Sequence, residues 1–136
     1  MTEAQIDLAR RAVAAPGWRW MRGMRIAGTK FASVVAVRDG APCGAEEGAT
    51  CDDNAAMWLD EWTTPMLPDL ADPLTALGLL ALVRERWGDP GMYARPRGSK
   101  ARPDWAVCAG VDGVPVAAGE SEVEALVAAL EVPDAR

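Results

Sequence analysis

Hydrophobic and polar positions change their spacing several times along the chain, and each change marks an element. Thr2 followed by Gln5 fits a capping box, and Ile6, Ala9 and Val13 then recur at i, i+3 and i+7. This predicts a short amphipathic helix from about Glu3 to Ala14, ended by Pro16-Gly17. From Met24 the pattern becomes that of a strand. It is clearest over Phe31–Arg38, which is rich in β-branched residues and stops at the turn signal Asp39-Gly40. Residues 40–56 are Gly-, Ala- and acid-rich and show no period. Met57–Trp62 reads as a third strand or an ordered loop.

The second half is more strongly patterned. Asp72 is a natural N-cap, Pro73 suits the first helical position, and Gly88 suits the end of a helix running from Leu74 to Trp87. Leu74, Leu77, Leu79, Leu80, Leu82 and Val83 occupy most of its circumference, so it is expected to be buried on all sides and to form the core. Gly78 costs about 1 kcal/mol there relative to Ala, which points to close backbone approach by a neighbour. Asp89 to Pro103 holds Arg95, Arg97, Lys100 and Arg102 among Pro and Gly and reads as a solvated loop, alternatively as a basic flap over a ligand. Trp105–Ala109 and Val114–Ala118 flank Asp112-Gly113 as a hairpin, with Pro115 placing the second strand at an edge. Ser121 and Glu124 form a second capping box, followed by Val123, Leu126, Val127 and Leu130 on one helical face.

The expected order is α-β-β-(β)-α-β-β-α. Short turns between strands imply antiparallel pairing, so the fold class is α+β: a small antiparallel sheet of four to five strands packed with three helices. No internal repeat or linker splits the chain, and residues 1–136 are read as a single globular domain.

Composition adds exclusions. Half of the residues are apolar and a quarter charged, the balance of a soluble globule rather than a disordered or fibrous chain. The longest apolar run, Ala76–Val83, falls far short of the ~18 residues of a membrane span. The first residues lack the basic-then-apolar order of a signal peptide, so a cytoplasmic location and no membrane partner are expected. Cys43, Cys51 and Cys108 are odd in number and are expected to be free thiols, although a Cys43–Cys51 bridge is possible by spacing. With no His in the chain, neither a metal site nor a His-dependent nucleophile is expected, and no cofactor is implied.

Charge is segmented. Residues 1–38 carry a net +5, residues 39–72 a net −9, residues 73–103 a net +4 and residues 104–136 a net −6. Facing blocks can neutralise one another across the fold, or the two basic blocks can build a surface that steers an anionic partner. A pI of about 4.6 argues against general coating of nucleic acid.

The candidate chemistry lies in Gly17–Arg25, where two Trp, two Met and three Arg stand in nine residues. Indoles and thioethers make adaptable apolar contacts, and guanidinium groups stack on indoles and pair with carboxylate or phosphate. Trp18, Arg19, Trp20, Arg22 and Arg25, joined by Arg95, Arg97 and Trp105, are the candidate ligand- or partner-binding residues. The alternative is that the two Trp simply anchor the segment after the first helix. There are no candidate catalytic residues beyond the carboxylates Asp52, Asp53, Asp60 and Glu61, which carry no partner motif.

The stretches Trp18–Met24, Leu67–Gly88 and Glu122–Leu130 resemble small proteins carried by bacteriophages and prophages of high-GC bacteria, over about half the chain. The resemblance implies a context, a phage accessory protein in the host cytoplasm, and no catalytic residues. The leading expectation is a non-enzymatic binding protein that counters host defence by sequestering an anionic, nucleotide-like small molecule or by inhibiting a host protein. A self-associating assembly protein is the alternative, with homo-oligomers as its product, and a small carboxylate-dependent enzyme is the third.

Overall fold

In the computed structural model the described residues are 2–27, 31–38, 41–46, 57–58, 67–101 and 104–133, with side chains described outside 31–58. Among these residues three helices and six strands follow in the order α1 (Glu3–Ala14), β1 (Phe31–Arg38), β2 (Ala41–Glu46), β3 (Met57–Trp58), α2 (Pro73–Trp87), β4 (Tyr93–Pro96), β5 (Trp105–Cys108), β6 (Pro115–Gly119) and α3 (Glu122–Glu131). The chain is α+β and antiparallel throughout its sheets, but the expected single sheet of four to five strands is replaced by two sheets of three. By contacts the chain divides into two compact units, one of residues 1–13 and 19–78, the other of residues 14–18 and 79–136.

In the first unit β2 is central. It pairs with β1 over Phe31↔Glu46 to Arg38↔Ala41, with two irregularities, and with β3 at Cys43↔Trp58 and Gly44↔Met57. The Asp39-Gly40 link lies outside the described residues, yet the strands on either side of it pair as a hairpin should. The strand expected from Met24 is reduced to one bridge, Ile26↔Pro68, and the extra strand falls instead at Ala41–Glu46. That segment, Ala-Pro-Cys-Gly-Ala-Glu, has no alternation to detect; pairing on both sides makes it a strand. α1 begins with the full reciprocal capping box: Gln5 N–H donates to Thr2 Oγ1 (3.2 Å) and Thr2 N–H to Gln5 Oε1 (2.8 Å). Its buried face is Ala9 and Ala12, while Val13 is exposed.

In the second unit β5 is the central strand, flanked by β4 and β6, and α3 packs on this sheet. A β-carbon on Gly119 would lie 2.6 Å from the Ala125 nitrogen, which identifies the face carrying Gly119 as the one under α3. Ser121 Oγ accepts from Glu124 N–H, and Ala125, Leu126, Val127, Ala129 and Leu130 are buried, as the amphipathic pattern predicts. β6 is an edge strand, where Pro115 is tolerated. Tyr93–Pro96, expected within a loop, is instead β4, a correction with a clear cause. An exposed edge strand needs no apolar alternation, only backbone partners, and β5 supplies them in the register Tyr93↔Cys108 to Pro96↔Trp105. Arg97 N–H donates to Asp104 O at 2.6 Å, so by alternation Pro96 lacks its N–H on the side facing away from β5.

The second correction concerns α2. Its N-cap, first residue and end are as expected, with Gly88 at φ 63°. Its burial is one-sided: Thr75, Leu79, Leu82 and Val83 are covered, whereas Leu74 and Leu77 are 58% and 62% exposed. No helix among the described residues is long and apolar enough to cross a membrane.

Candidate functional site

Residues 19–27 of the first unit alternate between inside and outside. Trp20, Met24 and Ile26 are buried, Arg19 and Arg22 are exposed, and Met21 and Arg25 are half-buried. Two links hold the backbone in this arrangement. Met24 N–H donates to Met21 O (3.1 Å), closing a turn whose third residue, Gly23, has φ 93°. Positive φ at that position is what a type II turn requires, and it puts Arg22 at the tip. Further on, Asp69 N–H donates to Arg25 O (2.8 Å) and Ala27 N–H to Leu67 O (2.9 Å), a short antiparallel clasp around Ile26↔Pro68.

The N-terminus of α2 completes the attachment. Thr75 is fully buried, and its hydroxyl accepts the Arg25 N–H at 2.8 Å while donating to Asp72 Oδ2 at 3.1 Å. Asp72 Oδ2 also accepts Thr75 N–H at 2.9 Å, so one carboxylate caps the helix and orients the hydroxyl. Nothing in the sequence pattern singled out Thr75. The signal available was a lone hydroxyl in the first turn of an otherwise apolar helix, a position that must have a partner once buried. Met24 then packs on the helix itself: a β-carbon on Gly78 would stand 2.6 Å from Met24 Cε. The glycine is therefore explained by close approach, of a side chain rather than of a backbone.

The candidate residues fare differently. Trp20 lies in the core at 7% exposure and so supports the segment from behind rather than offering a stacking surface. Arg19 and Arg22 face outward, and Arg25 is half-exposed. Trp18, in the second unit, is half-buried, and its N–H donates to Ala15 O (3.1 Å) in the turn made by Gly17 at φ 80°.

Within the second unit, Arg95 is exposed on β4 opposite Ala106, and Trp105 is half-buried on β5 opposite Pro96. Arg97 is committed to Asp104, with Nη2 and Nε at 2.9 and 3.2 Å from the same carboxylate oxygen. Two other arginines of the unit serve the backbone. Arg84 Nε donates to Met92 O (2.8 Å), and Arg86 Nη2 donates to Val132 O and Pro133 O just past α3, where a cation meets the negative end of the helix dipole.

Cys108 is buried and unbridged. Cys51 lies outside the described residues, and so do the carboxylates Asp52, Asp53, Asp60 and Glu61. Among the described residues no three Cys, Asp or Glu side chains gather as metal ligands would. Compared with known proteins, the chain matches no family model, no curated protein and no solved structure.

Proposed function

We propose that this chain is a non-enzymatic, phage-type accessory binding protein whose contact surface includes Arg19, Arg22 and Arg25, and that it grips an acidic face of a host protein. The observation that carries this reading is the division of labour in residues 19–27: apolar side chains buried, guanidinium groups outward, backbone bonded at both ends of the turn. A segment held this way keeps its cations in place before contact, so little ordering remains to oppose binding. An acidic protein face is favoured over a nucleotide because the buried Trp20 cannot stack on a base.

The test compares Arg22→Gln/Arg25→Gln with the parent, using labelled poly-L-glutamate and ATP as probes across a salt series. The expected outcome is binding of polyglutamate by the parent, several-fold loss in the variant with a flatter salt dependence, and a thermal midpoint nearly unchanged. Equal binding by parent and variant overturns the reading. Preference for ATP would restore the nucleotide-sequestering alternative.

A further inference from the structure

We propose that the outer edge of β6 takes an extended, basic-flanked segment of a partner protein as an added strand. The proposal stands on the second unit alone and uses none of the arginines of residues 19–27. Two backbone bonds fix which way the strands of this sheet turn their groups. Arg97 N–H donates to Asp104 O (2.6 Å), so Asp104 faces β4, and Ala109 N–H donates to Val114 O (3.0 Å), so Ala109 faces β6. Alternation between them makes Trp105 and Val107 face β6, and their register partners Gly119 and Ala117 face back. Val116 and Ala118 therefore turn their N–H and C=O groups away from β5, and neither makes another hydrogen bond among the described residues.

The opposite edge is closed. On β4 the outward groups belong to Ala94 and Pro96, and Pro96 has no N–H to offer. Just before that strand, Arg84 Nε occupies Met92 O at 2.8 Å. β6 has neither device. Pro115 stands at its first position, ahead of the open groups, and Pro115–Gly119 carries no charge. Pro115 and Ala118 are exposed. An uncharged open edge of this kind is a template for an incoming strand.

Charge at the two ends selects the occupant. Glu124 Oε2 accepts Glu120 N–H at 3.0 Å, which sets a carboxylate where the edge ends. At the hairpin end Asp112 Oδ1 accepts Val114 N–H at 3.0 Å. Residues 105–133 hold five carboxylates and no Lys or Arg. Asp112, Glu120 and Glu124 make no ion pair among the described residues. A short extended segment with Lys or Arg at both ends satisfies the ladder and the charges together. A second copy of this chain does not. Its β4 edge is closed, and two β6 edges paired about a two-fold axis would set Asp112 of each against the acidic end of the other.

The probe is a synthetic peptide of about nine residues, alternating Val and Thr between pairs of Lys, enough to span this strand. It is compared with its Glu-for-Lys counterpart and with the Lys peptide N-methylated at its core amides, which keeps the charge and removes the ladder donors. Fluorescence anisotropy with the full chain should show binding of the Lys peptide, and binding about tenfold or more weaker for both counterparts. Ala118→Pro removes an outward N–H without touching the ladder to β5. It should weaken the Lys peptide similarly with the thermal midpoint nearly unchanged. Amide exchange of the parent gives a reading that needs no variant: Val116 and Ala118 should slow about tenfold or more with the peptide bound. The proposal is overturned if the Lys peptide does not bind, if either counterpart or a folded Ala118→Pro binds equally well, or if binding leaves those two amides unprotected. Concentration-dependent slowing at the same amides without peptide would assign the edge to a second copy and overturn it as well.

Discussion

Residues 19–27 and 89–104 are both basic, both interrupted by glycine, and held in opposite ways. The first is fastened by side chains: Trp20 and Met24 enter the core, and the Thr75 hydroxyl accepts the Arg25 N–H. The second is fastened by backbone. β4 pairs with β5, and Asp89 grips two glycines, its Oδ1 accepting Gly91 N–H (2.9 Å) and its Oδ2 accepting Gly110 N–H (2.8 Å). Gly91 and Gly110 touch so closely that a β-carbon on Gly110 would lie 2.6 Å from the Gly91 backbone. The lesson is that arginine-rich stretches need not be mobile. In the first stretch Arg19 and Arg22 are exposed beside the buried Trp20 and Met24, and in the second Arg97 forms an ion pair with Asp104 across the ladder.

The comparison breaks most directly at Trp20. Trp20→Ala removes the largest apolar anchor of the first segment and should cost about 3–5 kcal/mol, as for buried Trp elsewhere. Chemical denaturation gives the magnitude, and amide exchange at Arg25 and Ala27 reports whether the clasp loosens with it. A loss below about 0.5 kcal/mol, the level of ordinary surface sites, would mean the segment is not held through its indole.

The corresponding break in the second segment is Gly110→Ala. Its added methyl meets backbone, which cannot swing aside as a side chain end would, and the expected cost is about 1–3 kcal/mol. Thermal or urea denaturation measures it. A neutral result would mean that the Asp89 clasp opens freely and that β4–β5 pairing alone holds the segment.

What the sequence made legible follows the same division. Signals carried by a few adjacent residues were readable: the Thr2/Gln5 and Ser121/Glu124 boxes, Asp72-Pro73 and Gly88 around α2, and Asp112-Gly113 between β5 and β6. Signals that exist only once distant segments meet were not. β2 and β4 are strands because a neighbour pairs with them, and their composition, with Pro42 and Pro96, argues against it. The α2 leucines gave no hint of which side would be covered, since an all-round apolar helix has no preferred face. For the candidate site, the sequence named residues but could not say which of them the fold would bury. Whether an indole beside arginines binds or anchors is decided by burial, and for Trp20 burial decides for anchoring.

The smallest expected effect sharpens the comparison at the ion pair itself. Arg97→Gln removes a short, aligned contact to Asp104, but both side chains are more than a third exposed. Water screens such a pair, and holding two long side chains in one geometry costs entropy, so the loss should be only about 0–1 kcal/mol. The ladder contact from Arg97 N–H to Asp104 O survives the replacement, because it belongs to the backbone. Denaturation of parent and variant at low salt and at about 1 M salt, where the screening length falls to about 3 Å, separates the contributions. If the pair acts as a screened surface contact, the difference between the two proteins shrinks towards zero as salt rises. A loss well above 1 kcal/mol that persists at high salt would mean that the side chain, not the backbone pairing, holds the second segment, and the contrast with residues 19–27 would disappear.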